Sequence, residues 1–246
     1  MAECVLRLVG VGQGYRRDRD WWQVFSDVSL TVGAGEFVGL LGAAREGKTT
    51  LLEVAAGLVV PEAGEVWFEG RDLAKCSEDE RAELLGRRIA WMPREDFANF
   101  GVLEYVALPL AKGPRPVDDA EDVARAALDR VGATGCVGRS YGALSDWERL
   151  LVRLARGYAA RPRLMVVDDL LDGLGAGGMR EAGELLLGIA GELNGGVLAG
   201  ASDMAALVAA NRVYAFDGEG GIDVIAQSPH AATSGLDDFG GAAQAG

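Results

Sequence analysis

The 246-residue sequence predicts an α/β fold organised around a phosphate-binding loop. The segment Gly42-Ala43-Ala44-Arg45-Glu46-Gly47-Lys48-Thr49-Thr50 lies between the apolar run 37–41 and the helix-like run 51–58, which is the strand, glycine loop, helix order such a loop requires. A second apolar run, Leu164-Met165-Val166-Val167, ends in the acids Asp168-Asp169. Strand-like and helix-like patterns alternate along most of the chain.

Taken in order, residues 4–11 and 24–32 read as short β runs separated by the polar stretch 16–20, which predicts an antiparallel pair ahead of the loop strand. Pro61-Glu62-Ala63-Gly64 turns the chain into an alternating strand over 65–69, closed by Gly70. Residues 77–85 predict a short polar helix with Ser77 as N-cap and Glu80 three residues on. Ile89-Ala90-Trp91-Met92 reads as a buried strand stopped by Pro93. Helical spacing returns over 101–111 and 117–131, broken at Gly113-Pro114-Arg115-Pro116. In the second of these, Val123, Ala126, Ala127, Arg130 and Val131 mark one face. The region 94–158 is therefore expected to be a mainly helical inserted lobe. After the strand at 164–167 come a helix over 177–193, a strand over 196–201 and a closing strand pair at 213–216 and 222–225. The final residues, rich in Gly, Ala and Asp, predict a flexible tail over 229–246.

Composition narrows the function. A formal net charge of −13 disfavours a nucleic-acid surface, since phosphate backbones demand a basic footprint. Cys4, Cys76 and Cys136 are far apart and show no metal-ligand spacing, which predicts reduced thiols. His230 is the only histidine and makes a Ser-His-Asp triad improbable. No run approaches 18 apolar residues, and Met1-Ala2-Glu3-Cys4 does not resemble a secretory leader, so a cytoplasmic protein is expected.

In the phosphate-loop reading, backbone N–H groups and the positive end of the following helix surround the phosphates. Lys48 would reach the β- and γ-phosphates, and the Thr49 hydroxyl would ligate Mg²⁺. The chain has only three lysines, and one falls at this position. About 120 residues later, the strand ending in Asp168 has the form that places a carboxylate beside the metal. Just upstream, Leu144-Ser145-Asp146-Trp147-Glu148 precedes a helix and Arg161-Pro162.

The order of loop, signature, helix, proline and acid-ended strand resembles the nucleotide-binding subunit of ATP-binding cassette (ABC) transporters, over about residues 5–228. Gly57-Leu58, Pro61, Gly64-Glu65-Val66 and the segment 102–110 are similar to this family too, the last to its lipoprotein-release and macrolide-efflux branch. The resemblance implies a P-loop NTPase of ABC type: a RecA-like mixed sheet core with an N-terminal antiparallel β portion and an inserted helical subdomain. It implies one domain over 1–228, with ATP and Mg²⁺ as cofactors. By the same resemblance Tyr15 stacks on adenine, and Gly42, Arg45, Glu46, Gly47, Lys48, Thr49 and Thr50 form the phosphate loop. Ser145 is the signature serine that meets the γ-phosphate held by an opposing subunit, and Asp168 with Thr49 serves the metal. Each also has a plain structural role open to it: Tyr15 as a turn residue, Ser145 as a helix N-cap, Asp168 as a strand-end turn former.

The departures from the family pattern gather at the chemistry. Asp169 stands where the family has its catalytic glutamate, one methylene shorter, and a displacement of about 1 Å can cost on the order of 10²-fold in rate. Ser202 holds the switch-histidine position and Arg94 the Q-loop glutamine position. Asp146 and Trp147 replace signature glycines, bringing bulk and an anion toward a phosphate. At about 5 Å and an effective dielectric near 20, one such charge pair repels by roughly 3 kcal/mol. The expected function is an ATP-binding subunit of a membrane transport or mechanotransmission complex that docks on transmembrane subunits and pairs, as a heterodimer, with a more complete cassette. The alternative is an active ATPase with Asp169 as base and Ser202 and Arg94 as replacement contacts. A soluble two-cassette type or a non-nucleotide scaffold fits less well, because the chain has one cassette and keeps Lys48, Thr49 and Asp168.

Overall fold

Leu164, Met165, Val166 and Val167 are all buried, so their strand needs cover on both faces, and the fold provides it. The computed structural model describes residues 3–17, 20–93, 100–112, 117–169 and 174–227. Its strands are β1 (Cys4–Arg17), β2 (Asp20–Gly33), β3 (Phe37–Leu41), β4 (Ala63–Phe68), β5 (Arg71–Asp72), β6 (Ile89–Met92), β7 (Leu164–Val167), β8 (Gly196–Ala201), β9 (Arg212–Phe216) and β10 (Ile222–Gln227). Its α-helices are α1 (Lys48–Ala55), α2 (Glu78–Arg87), α3 (Val102–Ala107), α4 (Val117–Arg130), α5 (Asp146–Ala159) and α6 (Ala176–Leu193).

Two sheets result. One is antiparallel, in the order β2-β1-β4-β5; the other runs β10-β9-β3-β8-β7-β6 and is parallel except for the β9/β10 pair. The period-2 alternation of β7 explains the layering. Leu164 and Val166 join the core beneath the antiparallel sheet with Val38, Leu40 and Leu198. Met165 and Val167 join the helical core with Phe37, Leu186 and Val197. The larger sheet thus separates two apolar layers, and the C-terminal ends of β3, β7 and β8 open at one edge, where ligands of parallel α/β sheets bind.

Three expectations shift in detail. The first strand pair extends well past residues 11 and 24, because Tyr15↔Trp22 and Arg16↔Trp21 continue the ladder beyond the core. The helix expected over 101–111 is α-helical only to Ala107 and tightens to a 3₁₀ turn over 108–112, since Pro109 cannot donate an α-helical hydrogen bond. On α4 the buried face is Ala120, Ala124, Ala127 and Leu128, continued by Val131 just past its end, whereas Ala126 is exposed and Arg130 turns to Glu192 of α6. Ser77 and Glu80 do form the expected capping box. His230 and the segment 229–246 lie outside the described residues.

Candidate phosphate-binding site

The loop after β3 turns tightly, with Arg45 at φ 72° and Gly47 at φ 101°. Glycine adopts such angles freely, but Arg45 does so at a cost of about 1–2 kcal/mol. Gly47 has a further reason to lack a side chain: a Cβ there would sit 2.7 Å from Val24 Cγ1 of β2. The antiparallel sheet therefore packs closely against the loop at this residue.

Lys48, at the first position of α1, is buried, and its ammonium donates to the carbonyls of Gly42 (2.7 Å) and Ala43 (3.0 Å). It also lies 3.4 Å from Ser202 Oγ at the end of β8 and 3.8 Å from Asp169 Oδ1 at the end of β7. Thr49 donates its hydroxyl to Asp168 Oδ2 at 2.9 Å. The hydroxyl and carboxylate oxygens are the hard donors that Mg²⁺ takes, and they sit at the first turn of a helix whose N–H groups face the loop. The residues present therefore fit a metal-bound polyphosphate. Burial, then the charge of Asp168, pushes the Glu53 carboxyl on α1 above its usual range.

The folded chain thus gathers Gly42, Gly47, Lys48, Thr49, Asp168, Asp169 and Ser202 from three parallel strand ends. Tyr15 stands above them, with its hydroxyl 3.5 Å from Thr50 Oγ1. Asp169 is held in the left-handed region at φ 43°. Arg94 lies outside the described residues. The sequence reading did not single out Glu53, nor Phe216, whose ring would lie 3.0 Å from a Cβ at Gly42. Glu46 carries a contact that spacing alone could not reveal: its carboxylate accepts from the Ala43 N–H.

Ser145 caps α5. Its Oγ accepts from Glu148 N, while Glu148 Oε2 accepts from Ser145 N at 2.8 Å. The Ser145 N–H and hydroxyl, helped by Arg139, hold the Glu148 carboxyl below the usual carboxylate range. Asp146 stands exposed and pairs with Arg149 at 3.4 Å. Trp147 is instead partly buried against the helical core, close to Gly178 at the start of α6. Of these two neighbours, Asp146 presents its side chain outward and Trp147 turns its ring inward.

The profile of the ABC transporter family matches residues 25–171. The chain belongs to that family. This ABC chain is 33% identical over 165 residues to the lipoprotein-releasing system ATP-binding protein LolD of Nitratidesulfovibrio vulgaris, covering 66% of this chain and 71% of that one. It is 31% identical over 169 residues to LolD of Pseudomonas fluorescens, covering 68% and 74%. In three dimensions it resembles a bacterial ABC transporter cassette solved as a dimer, with a TM-score of 0.80 at 21% identity, covering 89% of this chain and 96% of the other. The same cassette solved in a post-hydrolysis state with ADP and phosphate gives a TM-score of 0.80 at 20% identity, covering 91% and 100%. These neighbours establish the α/β ABC ATPase fold.

Proposed function

We propose that this ABC chain is a cassette that binds Mg²⁺–ATP, hydrolyses it weakly or not at all alone, and works against transmembrane subunits beside a more complete cassette. The observation that carries this is the joint placement of Lys48, Thr49 and Asp168 at one loop, with Asp169 drawn onto Lys48. When bound, Mg²⁺ would neutralise phosphate charge and fix the β- and γ-phosphates. Thr49 and Asp168 are the side chains that would hold it, Lys48 would meet the phosphates, and Tyr15 would stack on adenine.

The weak-hydrolysis part follows from what surrounds those groups. A carboxylate shorter than glutamate and 3.8 Å from a lysine is poorly placed to activate water. Ser202 hydrogen-bonds with Lys48 but brings no positive charge. On the signature side, the capping box of α5 engages the Ser145 and Glu148 N–H groups, and Asp146 adds an anion where an opposing γ-phosphate would approach. Each site of a cassette dimer combines both halves, so a partner cassette with an intact signature and base is the natural complement. Residues 1–228 are read as one nucleotide-binding domain with a helical subdomain inserted over roughly 94–158.

Docking on transmembrane subunits is supported by a cleft of about 500 Å³ between the larger sheet and the helical region, lined by Trp91, Met92, Phe100, Tyr105, Leu108 and Arg156. Leu58 and Leu108 are exposed at its border. Such a cleft suits an apolar helix end from a membrane subunit. Among the described residues no helix is long and apolar enough to cross a membrane, which leaves the spanning part to partners on whose cytoplasmic face the chain would sit. Resemblance to the LolD proteins favours a cargo-release or efflux system of that branch.

Turnover and binding by the purified chain test the proposal. Mg²⁺–ATP binding abolished by Lys48→Ala, with negligible phosphate release, is expected. Turnover at the level of ordinary cassettes, lost in both Lys48→Ala and Asp169→Asn, would favour instead the active ATPase with Asp169 as base.

A further inference from the structure

Tyr15 is not alone above the phosphate loop. Its partner across the β1/β2 ladder is Trp22, and directly paired residues of antiparallel strands project from the same face about 5 Å apart. That face can be identified. One step further along the ladder it carries Gln13 and Phe25, which are buried in the core beneath the sheet. A Cβ at Gly47 would meet Phe25 at 3.4 Å, so the same face looks onto the phosphate loop. The Tyr15 hydroxyl reaching toward Thr50 gives the same direction independently.

Trp22 is 64% exposed and Tyr15 45%. Two exposed aromatic residues side by side, on the face that emerges over a polyphosphate site, are well placed to cover a two-ring base. Trp21 differs: it pairs with Arg16 on the opposite face, and its ring lies so close over Gly14 that a Cβ there would be 2.5 Å from Trp21 Cζ2. Trp21, itself 55% exposed, thus lies against its own hairpin on the face away from the loop, and Trp22 is the tryptophan on the loop-facing side.

The geometry points to Trp22 as a second nucleobase-contacting residue, working beside Tyr15 to hold a purine nucleoside triphosphate. This rests on the reading of the Lys48 loop as a nucleotide site. Indole faces stack on bases without reading their hydrogen-bonding edges, so the pair favours a large base over a small one and tolerates adenine or guanine.

Calorimetric titration of the full chain with Mg²⁺–ATP and with Mg²⁺–tripolyphosphate separates base contact from phosphate contact. Trp22→Ala is expected to weaken ATP binding roughly tenfold while leaving tripolyphosphate unchanged. Trp22→Phe is expected to recover most of the loss, and Trp21→Phe to bind ATP as the wild type does. A Trp22→Ala chain that binds ATP as tightly as wild type overturns the role of Trp22 and leaves the nucleotide site standing. Equal losses for ATP and tripolyphosphate also overturn it, because the defect is then not at the base. A wild-type chain that binds neither ligand overturns the nucleotide reading and this inference together.

Discussion

The Glu46 carboxylate accepts a 2.6 Å hydrogen bond from the Ala43 N–H, three residues earlier in the same loop. A charge-assisted bond of this length braces the loop, and it also sets a fixed anion in the segment that must receive phosphates. At roughly 6 Å and an effective dielectric near 20, one carboxylate opposes each phosphate charge by about 3 kcal/mol before screening. Glu46 is exposed, so solvent and salt reduce that considerably. Glu46→Ser is therefore expected to tighten ATP binding about tenfold, corresponding to about 1.4 kcal/mol. Titration at two ionic strengths checks it: the gain should shrink as salt is raised.

Asp168 holds the Thr49 hydroxyl at 2.9 Å, which places two oxygen donors together at the start of α1. Replacing Asp168 by Asn removes the charge but keeps the shape. The difference between ATP affinity with Mg²⁺ and with a chelator should then largely disappear, a loss of roughly 10- to 100-fold in the metal-dependent part. Binding without metal should change little. An unchanged metal dependence would place the ion elsewhere.

Glu36 and Arg212 form a buried, two-pronged ion pair, with Nε to Oε1 at 2.6 Å and one terminal nitrogen to Oε2 at 2.8 Å. Glu36 also accepts from Gly33 N, and Arg212 donates to Thr31 O, so the pair ties the end of β2 to β9 across β3. Glu36→Ala leaves a buried guanidinium without its counter-charge and is expected to cost about 3–5 kcal/mol in denaturant unfolding. Glu36→Ala combined with Arg212→Met should recover much of that loss. A double variant as unstable as the single one would mean that the other hydrogen bonds of Arg212, not the charge pair, set the stability.

The sheet core and the phosphate loop were legible because each strand there is buried on both faces or leads straight into a glycine turn, so apolar identity and spacing are enough. The capping box at Ser77 was legible as well, since three-residue spacing to Glu80 fixes the geometry. Sequence order offered Ser145 both a signature role and a helix N-cap, and the cap is the part that one chain displays, with the hydroxyl engaged with Glu148. The buried face of α4 was misjudged because alanines at 120, 124, 126 and 127 look alike in sequence, and only packing against α3 and α5 selects among them. Trp147 was read as outward bulk, but its apolar ring is drawn toward α6, which no local pattern encodes. Trp22 went unremarked because its significance depends on strand register, set by a bulge between the Gln13 and Gly14 pairings.

Glu53 offers a pH-dependent test of the same site. Burial raises its carboxyl pKa above the ordinary value of 4.5, and the negative charge of Asp168 raises it further. A carboxyl that holds its proton more tightly in the folded than in the unfolded chain penalises folding once it ionises. Below about pH 4 both states are protonated and the penalty is absent. It builds as pH rises through the interval between the unfolded and folded values, and it is complete above the folded one. Glu53→Gln keeps the shape without the charge, so thermal unfolding at pH 7 should occur at a higher temperature than in wild type, with the gap closing as pH approaches 4. A gap that is constant across pH would attribute the gain to packing rather than to the charge of Glu53 beside Asp168.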